Sequence, residues 1–294
     1  MAPKKTKKQI QTELEYSLKN QSDEVDKAYV PHEDHILEIH TLHGTIFKNL
    51  FDGLKTTLTE ANLIFTKKGI KLTTADNDMN VLVHLFMFAE SFDFYFCQDD
   101  EFIAGIDIEL IHRTMKANKS NDLMCFIVHK DRKKDLDISF ESFQKGTKVR
   151  DQISLRDLPQ CKFVDSIDYP RNSPEMDASV FQTICREMSS FGATLLEIET
   201  SGNELIFRNI NGDNRRTVRI QMDPNNDNSE KFSGGSQKGT FLLPYLKAFS
   251  KSANVSNRVK LFLKTDFPLT LEYSVGNHLG TLRYLLSPED TDPE

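Results

Sequence analysis

The segments TIFKNLFDGL (45–54) and SVFQTICREM (179–188) decide the fold, because they repeat one pattern at a distance of 134 residues. Apolar residues at helical spacing fall on apolar residues, which predicts two similar amphipathic helices. The aligned pairs are Ile46 with Val180, Phe47 with Phe181, Leu50 with Ile184, and Leu54 with Met188.

The same shift aligns a second pair of segments, DIELIHRTMKAN (107–118) and the stretch that ends in PYLKAFSKS (244–252). Two amphipathic helices often look alike, but a shift shared by two separate pairs indicates an internal duplication. We therefore predict an α+β fold made of two tandem copies of one domain. Each copy has two helices and many antiparallel strands.

Short strands dominate both copies. Runs such as LMCFIVH (123–129) and PLTLEYSV (268–275) are rich in Val, Ile, Phe and Leu and often alternate, which is typical of strands. Helices are predicted over 45–58, 107–118, 178–191 and 244–252. The third helix is expected to bury Val180, Phe181, Ile184, Cys185 and Met188.

Four regions follow along the chain. Residues 1–34 contain the basic cluster KKTKK and few large apolar residues, which predicts a disordered charged tail. The cluster fits a nuclear import signal and a solvated charge run equally well. The first domain is predicted over 35–152, a connecting loop with two prolines over 153–172, and the second domain, with a short acidic tail, over 173–294.

Motifs for catalysis or metal binding fail on inspection. In the glycine-rich stretch 233–240, Thr240 and Phe241 follow the second glycine, where a phosphate-binding loop needs Lys and then Ser or Thr. A calcium loop starting at Asp76 would need Gly where Val81 stands. The four cysteines form no CxxC pair, and His32, His35, His40 and His43 have the wrong spacing for one face of a strand. The sequence therefore predicts a protein that is not an enzyme, with no cofactor, no metal and no membrane span.

The polar faces of the helices carry basic side chains. The four helical segments have a net charge of +3, while the whole chain has −7, so the remainder carries −10. Alone, such faces are solvated surfaces; if all four line one surface, they offer a weakly basic track to phosphate. The basic residues are Lys48, Lys55, His112, Arg113, Lys116, Lys119, Arg186, Lys247 and Lys251.

Two long stretches resemble proliferating cell nuclear antigen, the eukaryotic DNA sliding clamp family. The first is GTIFKNLFDGLKTTLTEANLIFTKKGIKLTTADNDMNVLVHL (44–85), and the second is FLLPYLKAFSKSANVSNRVKLFLKTDFPLTLEYSVGNHLGTLRYLLSP (241–288). The resemblance runs from about Leu37 to Pro288 and marks a divergent member, with a virus or a protist as its expected source. It implies a ring of three chains, pseudo-sixfold in symmetry, whose helices line a hole around duplex DNA.

Partners and location also follow from the resemblance. The family holds DNA without reading its sequence and tethers DNA polymerase and other replication and repair proteins, and a clamp loader opens the ring. The resemblance therefore implies a homotrimeric processivity factor in the nucleus, or at a viral replication site. The family's inner basic positions fall on Lys48, Lys55, Arg113, Lys116, Arg186 and Lys251, with Lys247 one turn after Pro244, which replaces a family arginine.

The resemblance also implies a groove for client peptides beneath the connecting loop. Its positions here are Ala75, Met79, Phe163, Val164, Asp165, Pro268, Leu285 and Ser287. Asp165 replaces an apolar loop residue and Leu285 replaces an aromatic one, so the preferred client motif is open. Core packing is the alternative for Met79, Phe163 and Leu285.

Subunits of the family join by pairing of edge strands, which correspond here to Val149–Leu155 and Thr217–Met222. The expected interface residues are Val149, Ile153, Val218 and Ile220. Two alternatives keep the fold without the homotrimer. One is a monomeric or dimeric processivity subunit, and the other is a checkpoint-type clamp subunit of a mixed ring.

Overall fold

The structure is a computed structural model that describes residues 30–76, 78–116, 122–142, 144–161, 173–211, 215–222, 236–276 and 278–289. The predicted tail 1–34 and connecting loop 153–172 therefore lie largely outside the described residues. Residues from Asp34 onward form one unit by their contacts. No helix among the described residues is long and apolar enough to cross a membrane.

The first half contains nine strands and two helices in the described residues. They are β1 (His35–Thr41), α1 (Gly44–Leu54), β2 (Glu60–Thr66), β3 (Gly69–Ala75), β4 (Val81–Phe88), β5 (Phe94–Cys97), β6 (Glu101–Asp107), α2 (Ile108–Met115), β7 (Leu123–His129), β8 (Asp135–Ser142) and β9 (Thr147–Ser154). A 3₁₀ turn covers Ala89–Ser91.

The second half repeats this order with one strand fewer among the described residues. Its described elements are β10 (Glu175–Asp177), α3 (Ala178–Ser190), β11 (Leu195–Ser201), β12 (Glu204–Asn209), β13 (Thr217–Gln221), β14 (Gln237–Leu242), α4 (Leu243–Phe249), β15 (Arg258–Phe262), β16 (Leu269–Val275) and β17 (Gly280–Leu286). A 3₁₀ turn over Ser250–Asn254 continues α4.

The predicted duplication is confirmed at the level of whole elements. A shift of 134 carries α1 to 178–188 and α2 to 242–249, within two residues of the bounds of α3 and α4. It also carries β2 to 194–200 and β8 to 269–276, next to β11 and β16. The α+β fold of two tandem copies is therefore the one that the helix repeat predicted.

Local sequence explains where two of the helices begin. The Asp107 carboxylate accepts a hydrogen bond from the Leu110 backbone N–H at 2.9 Å and caps α2. Pro244 stands in the first turn of α4, where a missing N–H costs no helical hydrogen bond. Helix α1 ends at Leu54, four residues earlier than predicted, and α4 passes into the 3₁₀ turn after Phe249.

Three antiparallel sheets carry the strands. Their strand orders are β5-β1-β7-β8-β9, β10-β15-β16-β17-β4-β3-β2-β6 and β13-β12-β11-β14. The eight-stranded sheet combines strands of both halves, and β17 pairs with β4 at the junction. Strands β9 and β13 each end a sheet, so each has one edge without a neighbour among the described residues.

One apolar core joins the inner faces of the sheets to the helices. In α3 the buried stripe comprises Phe181, Ile184, Cys185 and Met188, with spacings of three, one and three. Val180 was predicted to belong to this stripe, and that prediction is wrong. Its side chain is 43% exposed because it precedes the stripe by one residue, or about 100° around the helix.

Candidate nucleic-acid interface and peptide groove

The four helices lie side by side in one layer. The Lys55 ammonium lies 3.2 Å from Nδ1 of His112, which joins α1 to α2. The Asn49 amide donates to the carbonyl of Asn254 at 2.9 Å, which joins α1 to the 3₁₀ turn after α4. The Lys247 ammonium donates to Ser189 Oγ at 3.1 Å, which joins α4 to α3. The helix order is therefore α2, α1, α4, α3.

Most of the predicted DNA-facing residues lie on the polar side of this layer. Exposed side chains there are Arg113, Lys116, Arg186, Lys247 and Lys251, and Lys48 is half-buried. Lys119 lies outside the described residues. The same helices also expose the carboxylates of Asp52, Glu109 and Glu187, so the layer has a modest excess of positive charge of the kind that contacts phosphates.

His112 requires a correction, because it was predicted to face DNA and is only 1% exposed. Its Nε2 lies 3.0 Å from the Asp52 carboxylate, and the Lys55 ammonium lies 3.0 Å from the same carboxylate oxygen. Burial lowers the pKa of His112, and the nearby positive charge of Lys55 lowers it further. His112 is thus a neutral packing residue between α1 and α2, and Lys55 is partly engaged with Asp52.

This buried histidine makes a prediction for stability. Because the pKa of His112 in the folded protein lies below its unfolded value near 6.5, the unfolded chain binds more protons as the pH falls. The free energy of unfolding should therefore decrease below about pH 6.5, with a slope from this residue of at most about 1.4 kcal/mol per pH unit. His112→Gln should make the pH dependence shallower in urea unfolding measured between pH 5 and 8.

The pKa values of His40 and His129 are also lowered, chiefly by burial. The His112→Gln variant should therefore retain part of the wild-type pH dependence. His43→Gln, at the exposed residue before α1, is the matched control and should leave the profile unchanged. Equal slopes for wild type and His112→Gln would contradict this interpretation of the buried contact.

The predicted groove residues within the described chain meet at one end of the eight-stranded sheet. Pairing places Ala75 opposite Leu82 and Leu82 opposite Leu285. The Ser287 N–H donates to the Asn80 carbonyl at 3.0 Å, beside Met79. Pro268 comes directly before β16, whose first residue pairs with the residue that precedes Ser287. Phe163, Val164 and Asp165 lie outside the described residues.

Exposure differs strongly among these residues. Met79 is 74% exposed and has a φ of 59°, a left-handed conformation that is unusual for a long side chain. Leu285 is only 6% exposed, so it mainly packs inside the protein. Leu82, which the sequence interpretation omitted, is half-buried in the middle of the row. Its outward position in the alternating strand VLVHLFMF was the available signal.

The turn that carries Met79 is organised by Asp76. The Asp76 carboxylate accepts hydrogen bonds from the Val81 N–H at 2.9 Å and from the Tyr245 hydroxyl at 3.0 Å. Tyr245 belongs to α4, so this carboxylate connects the groove to the helix layer. The groove is therefore held by both halves of the chain.

The predicted interface residues lie on the two edge strands. Val149 in β9 is 47% exposed, whereas Val218 and Ile220 in β13 are partly buried against the core. Ile153 is 3% exposed and points inward, so its side chain supports β9 from inside. Strand β9 extends to Ser154 and so includes the first two residues of the predicted connecting loop.

Comparison with known proteins gives the same assignment for both halves. A family model for the N-terminal domain of proliferating cell nuclear antigen matches residues 36–161, and the model for its C-terminal domain matches residues 165–289. A duplicated α+β clamp fold is thus defined by sequence as well as by structure. The two models together span most of the chain, and the chain belongs to the proliferating cell nuclear antigen family.

Individual relatives are distant but similar over nearly their full length. A protein named probable DNA polymerase sliding clamp 1, from Paramecium bursaria Chlorella virus 1, is 28% identical over 87% of this chain and 98% of its own. Proliferating cell nuclear antigen 2 of Drosophila melanogaster is 26% identical over 88% and 100%. The crystal structure of the Entamoeba histolytica antigen superposes with a TM-score of 0.75 at 19% identity, covering 87% of this chain and 100% of that one.

Proposed function

We propose that three copies of this chain close into a ring that encircles duplex DNA. The chain is a DNA sliding clamp, a processivity factor that keeps DNA polymerase on its template. It acts by tethering rather than by catalysis, and its clients and a clamp loader bind through the groove. Viral and eukaryotic relatives support a site of action in the nucleus or at a viral replication site. Residues 35–152 and 173–294 are the proposed clamp domains, joined by 153–172.

The proposal of a ring rests on the pairing of β17 with β4 inside the chain. Because the chain is duplicated, β17 is the second-half counterpart of β9, and β4 is the first-half counterpart of β13. The junction between the halves of one chain therefore already joins these two kinds of strand. The free edges of β9 and β13 can form the same junction between neighbouring copies, and head-to-tail contacts of this kind close into rings.

The duplication also supports one register for the proposed junction. Strands β9 and β17, like β4 and β13, are related by a shift of 133, one residue less than the shift of the helices. Val149 pairs with Phe140 as Leu282 pairs with Tyr273, so Val149 and Leu282 are equivalent. Likewise Val218 pairs with Phe207 as Leu85 pairs with Leu72. Since Leu282 pairs with Leu85 inside the chain, Val149 should lie opposite Val218 of the next copy.

Burial explains why this junction would be stable. Leu282 and Leu85 are at most 1% exposed, so the equivalent apolar side chains of the edge strands would also leave water when they pair. The same register brings Asp151 opposite Arg216. It also brings Lys148 opposite Arg219, and Arg216 already pairs with Glu187, so the charges do not select this register over its neighbours.

Topological binding to DNA tests the proposal. A ring of this kind can thread onto a linear duplex only through a free end. We expect retention when biotinylated ends are blocked with streptavidin after the protein is added, and little retention when they are blocked before. Equal retention in both orders would contradict encirclement and favour the subunit that grips DNA by charge contacts alone.

The groove makes a prediction for client binding. Leu82→Asp places a carboxylate in the middle of the apolar row formed by Ala75, Leu82 and Leu285. For a helical peptide with two apolar or aromatic anchors, we expect affinity to fall at least about tenfold, which corresponds to about 1.4 kcal/mol. Fluorescence anisotropy with the labelled peptide measures this change.

The control for this prediction is Thr281→Asp. Thr281 is half-buried and points outward from the neighbouring strand β17, but it lies four residues beyond the level at which Leu82 pairs with Leu285. The control should bind the peptide as the wild-type protein does. An equal loss in both variants would reflect added negative charge and would remove Leu82 from the groove.

A further inference from the structure

A polar cavity of about 200 Å³ lies beside the groove, where the chain leaves the first half. Its walls come from the end of α1, from β2 and β3, and from Leu158 and Pro159. Ala75 belongs both to this lining and to the predicted groove, so the cavity continues the groove. The polar side chains of the lining are Thr57, Thr59, Glu60, Asn62, Thr73, Thr74 and Asp76.

The lining has a net negative charge from one carboxylate, that of Asp76, because Arg156 balances the charge of Glu60. Glu60 and Asp76 contribute carboxylates, and none of the described lining residues is Lys, Arg or His. Glu60 forms an ion pair of 3.0 Å with Arg156, which is not part of the lining. Both hydrogen-bond donors to the Asp76 carboxylate, the Val81 N–H and the Tyr245 hydroxyl, are neutral. The cavity therefore favours a cation over an anion or an apolar group.

Asn62 adds an independent observation, because it has an acceptor without a donor. The residue is 7% exposed, and its amide donates to the carbonyls of Leu158 at 3.2 Å and Pro159 at 3.1 Å. These two bonds fix the orientation of the amide, so the oxygen is Oδ1. Among the described residues, Oδ1 of Asn62 and Oγ1 of Thr57 are buried and have no hydrogen-bond partner. Such buried polar atoms normally find a partner in protein, water or ligand.

We propose that the cavity receives the ammonium or guanidinium group of a Lys or Arg side chain from a client peptide bound in the groove. Both groups carry several N–H donors and no acceptor, which matches a lining of carboxylates, hydroxyls and an unpaired amide oxygen. The occupant comes from the client because Ala75 connects the two sites. This inference rests on the proposed function for the source of the side chain but not for the chemistry of the cavity.

The test uses the full chain and two small probes with the same capped backbone. Nα-acetyl-lysine N-methylamide carries the ammonium group, and Nα-acetyl-norleucine N-methylamide has the same carbon chain without it. We follow the methyl resonances of Leu158 and Thr57 by NMR. The lysine probe should give saturable shifts with a dissociation constant of about 1–10 mM, a plausible value for a ligand of this size. The norleucine probe should bind at least about tenfold more weakly.

Protein variants assign the binding to the cavity. Asn62→Leu removes the unpaired acceptor and should weaken the lysine probe at least about fivefold. Glu60→Gln removes one charge and should weaken binding of the lysine probe about threefold. This second variant keeps the test available if Asn62→Leu does not fold. Glu90→Gln makes the same charge change at an exposed residue and should bind as wild type does.

Three results would overturn the inference. The first is equal affinity for the two probes. The second is the absence of a saturable shift at lysine-probe concentrations up to about 50 mM, well above the expected dissociation constant. The third is equal affinity of Glu60→Gln and Glu90→Gln for the lysine probe. A failure of ring closure or of DNA retention would leave these shifts intact. The two proposals can therefore fail separately.

Discussion

Val149→Arg should convert the trimer into single chains of 33.7 kDa. Val149 is 47% exposed in the isolated chain, so the substitution leaves the fold of one copy intact. In the proposed ring it would lie opposite Val218 of the next copy, where an arginine would be buried against an apolar side chain. That costs about 2 kcal/mol or more at each of three junctions, because the charged group loses water without gaining a partner. Light scattering at several concentrations measures the mass.

Ile103→Arg is the matched control for this variant. Ile103 is 36% exposed and also lies on an edge strand, β6, at the far end of the eight-stranded sheet. The control should keep the wild-type mass and the wild-type dependence on concentration. If both arginine variants remain trimeric, β9 is not the subunit interface. If both dissociate, the effect is one of charge or stability and not of this edge.

Removal of basic residues of the helix layer should weaken DNA binding strongly. The variant changes five residues to Ala, namely Lys48, Arg113, Lys116, Arg186 and Lys251. Each phosphate contact that is lost should reduce the slope of log K against log salt by about 0.9. We expect affinity at low salt to fall at least about tenfold, while the trimer mass stays the same. Lys55 is left in place because it forms an ion pair with Asp52.

A second variant with the same change in net charge controls for long-range electrostatics. Lys67, Lys68, Lys133, Lys134 and Lys264 are exposed in turns between strands, away from the helix layer. Their replacement by Ala should lower affinity slightly and leave the salt slope nearly unchanged. An equal loss of salt slope in both variants would mean that the basic residues of the helices contact DNA phosphates no more than the lysines of the turns do.

Periodicity and repetition determine most of the fold, and both are visible in the sequence. The apolar stripes of α1 and α3 and their common shift predicted the duplicated architecture, and alternation predicted strands such as β4 and β16. The edges β9 and β13 came from the resemblance to a family. Their free sides are set by strand order, which periodicity alone does not reveal.

The sequence interpretation failed where a side chain's surroundings come from a distant element. His112 lies on the polar side of its own helix, but Asp52 and Lys55 of α1 cover it. Leu82 and Asn62 were missed for the same reason, since their neighbours, Leu285 and Leu158, are far away in the chain. Val180 was misplaced by one residue, which is enough to rotate a side chain out of a helical stripe.

One measurement tests the central claim, that the free edges of neighbouring copies repeat the junction inside each chain. The variant combines Val149→Cys with Val218→Cys in a background with the exposed Cys161 changed to Ser. Directly opposed residues of antiparallel strands lie within reach of a disulfide. After oxidation, the mass under denaturing, non-reducing conditions should be about 100 kDa, three times the chain mass of 33.7 kDa, with no larger species. A product of single chains, or an open ladder of growing oligomers, would contradict the closed ring.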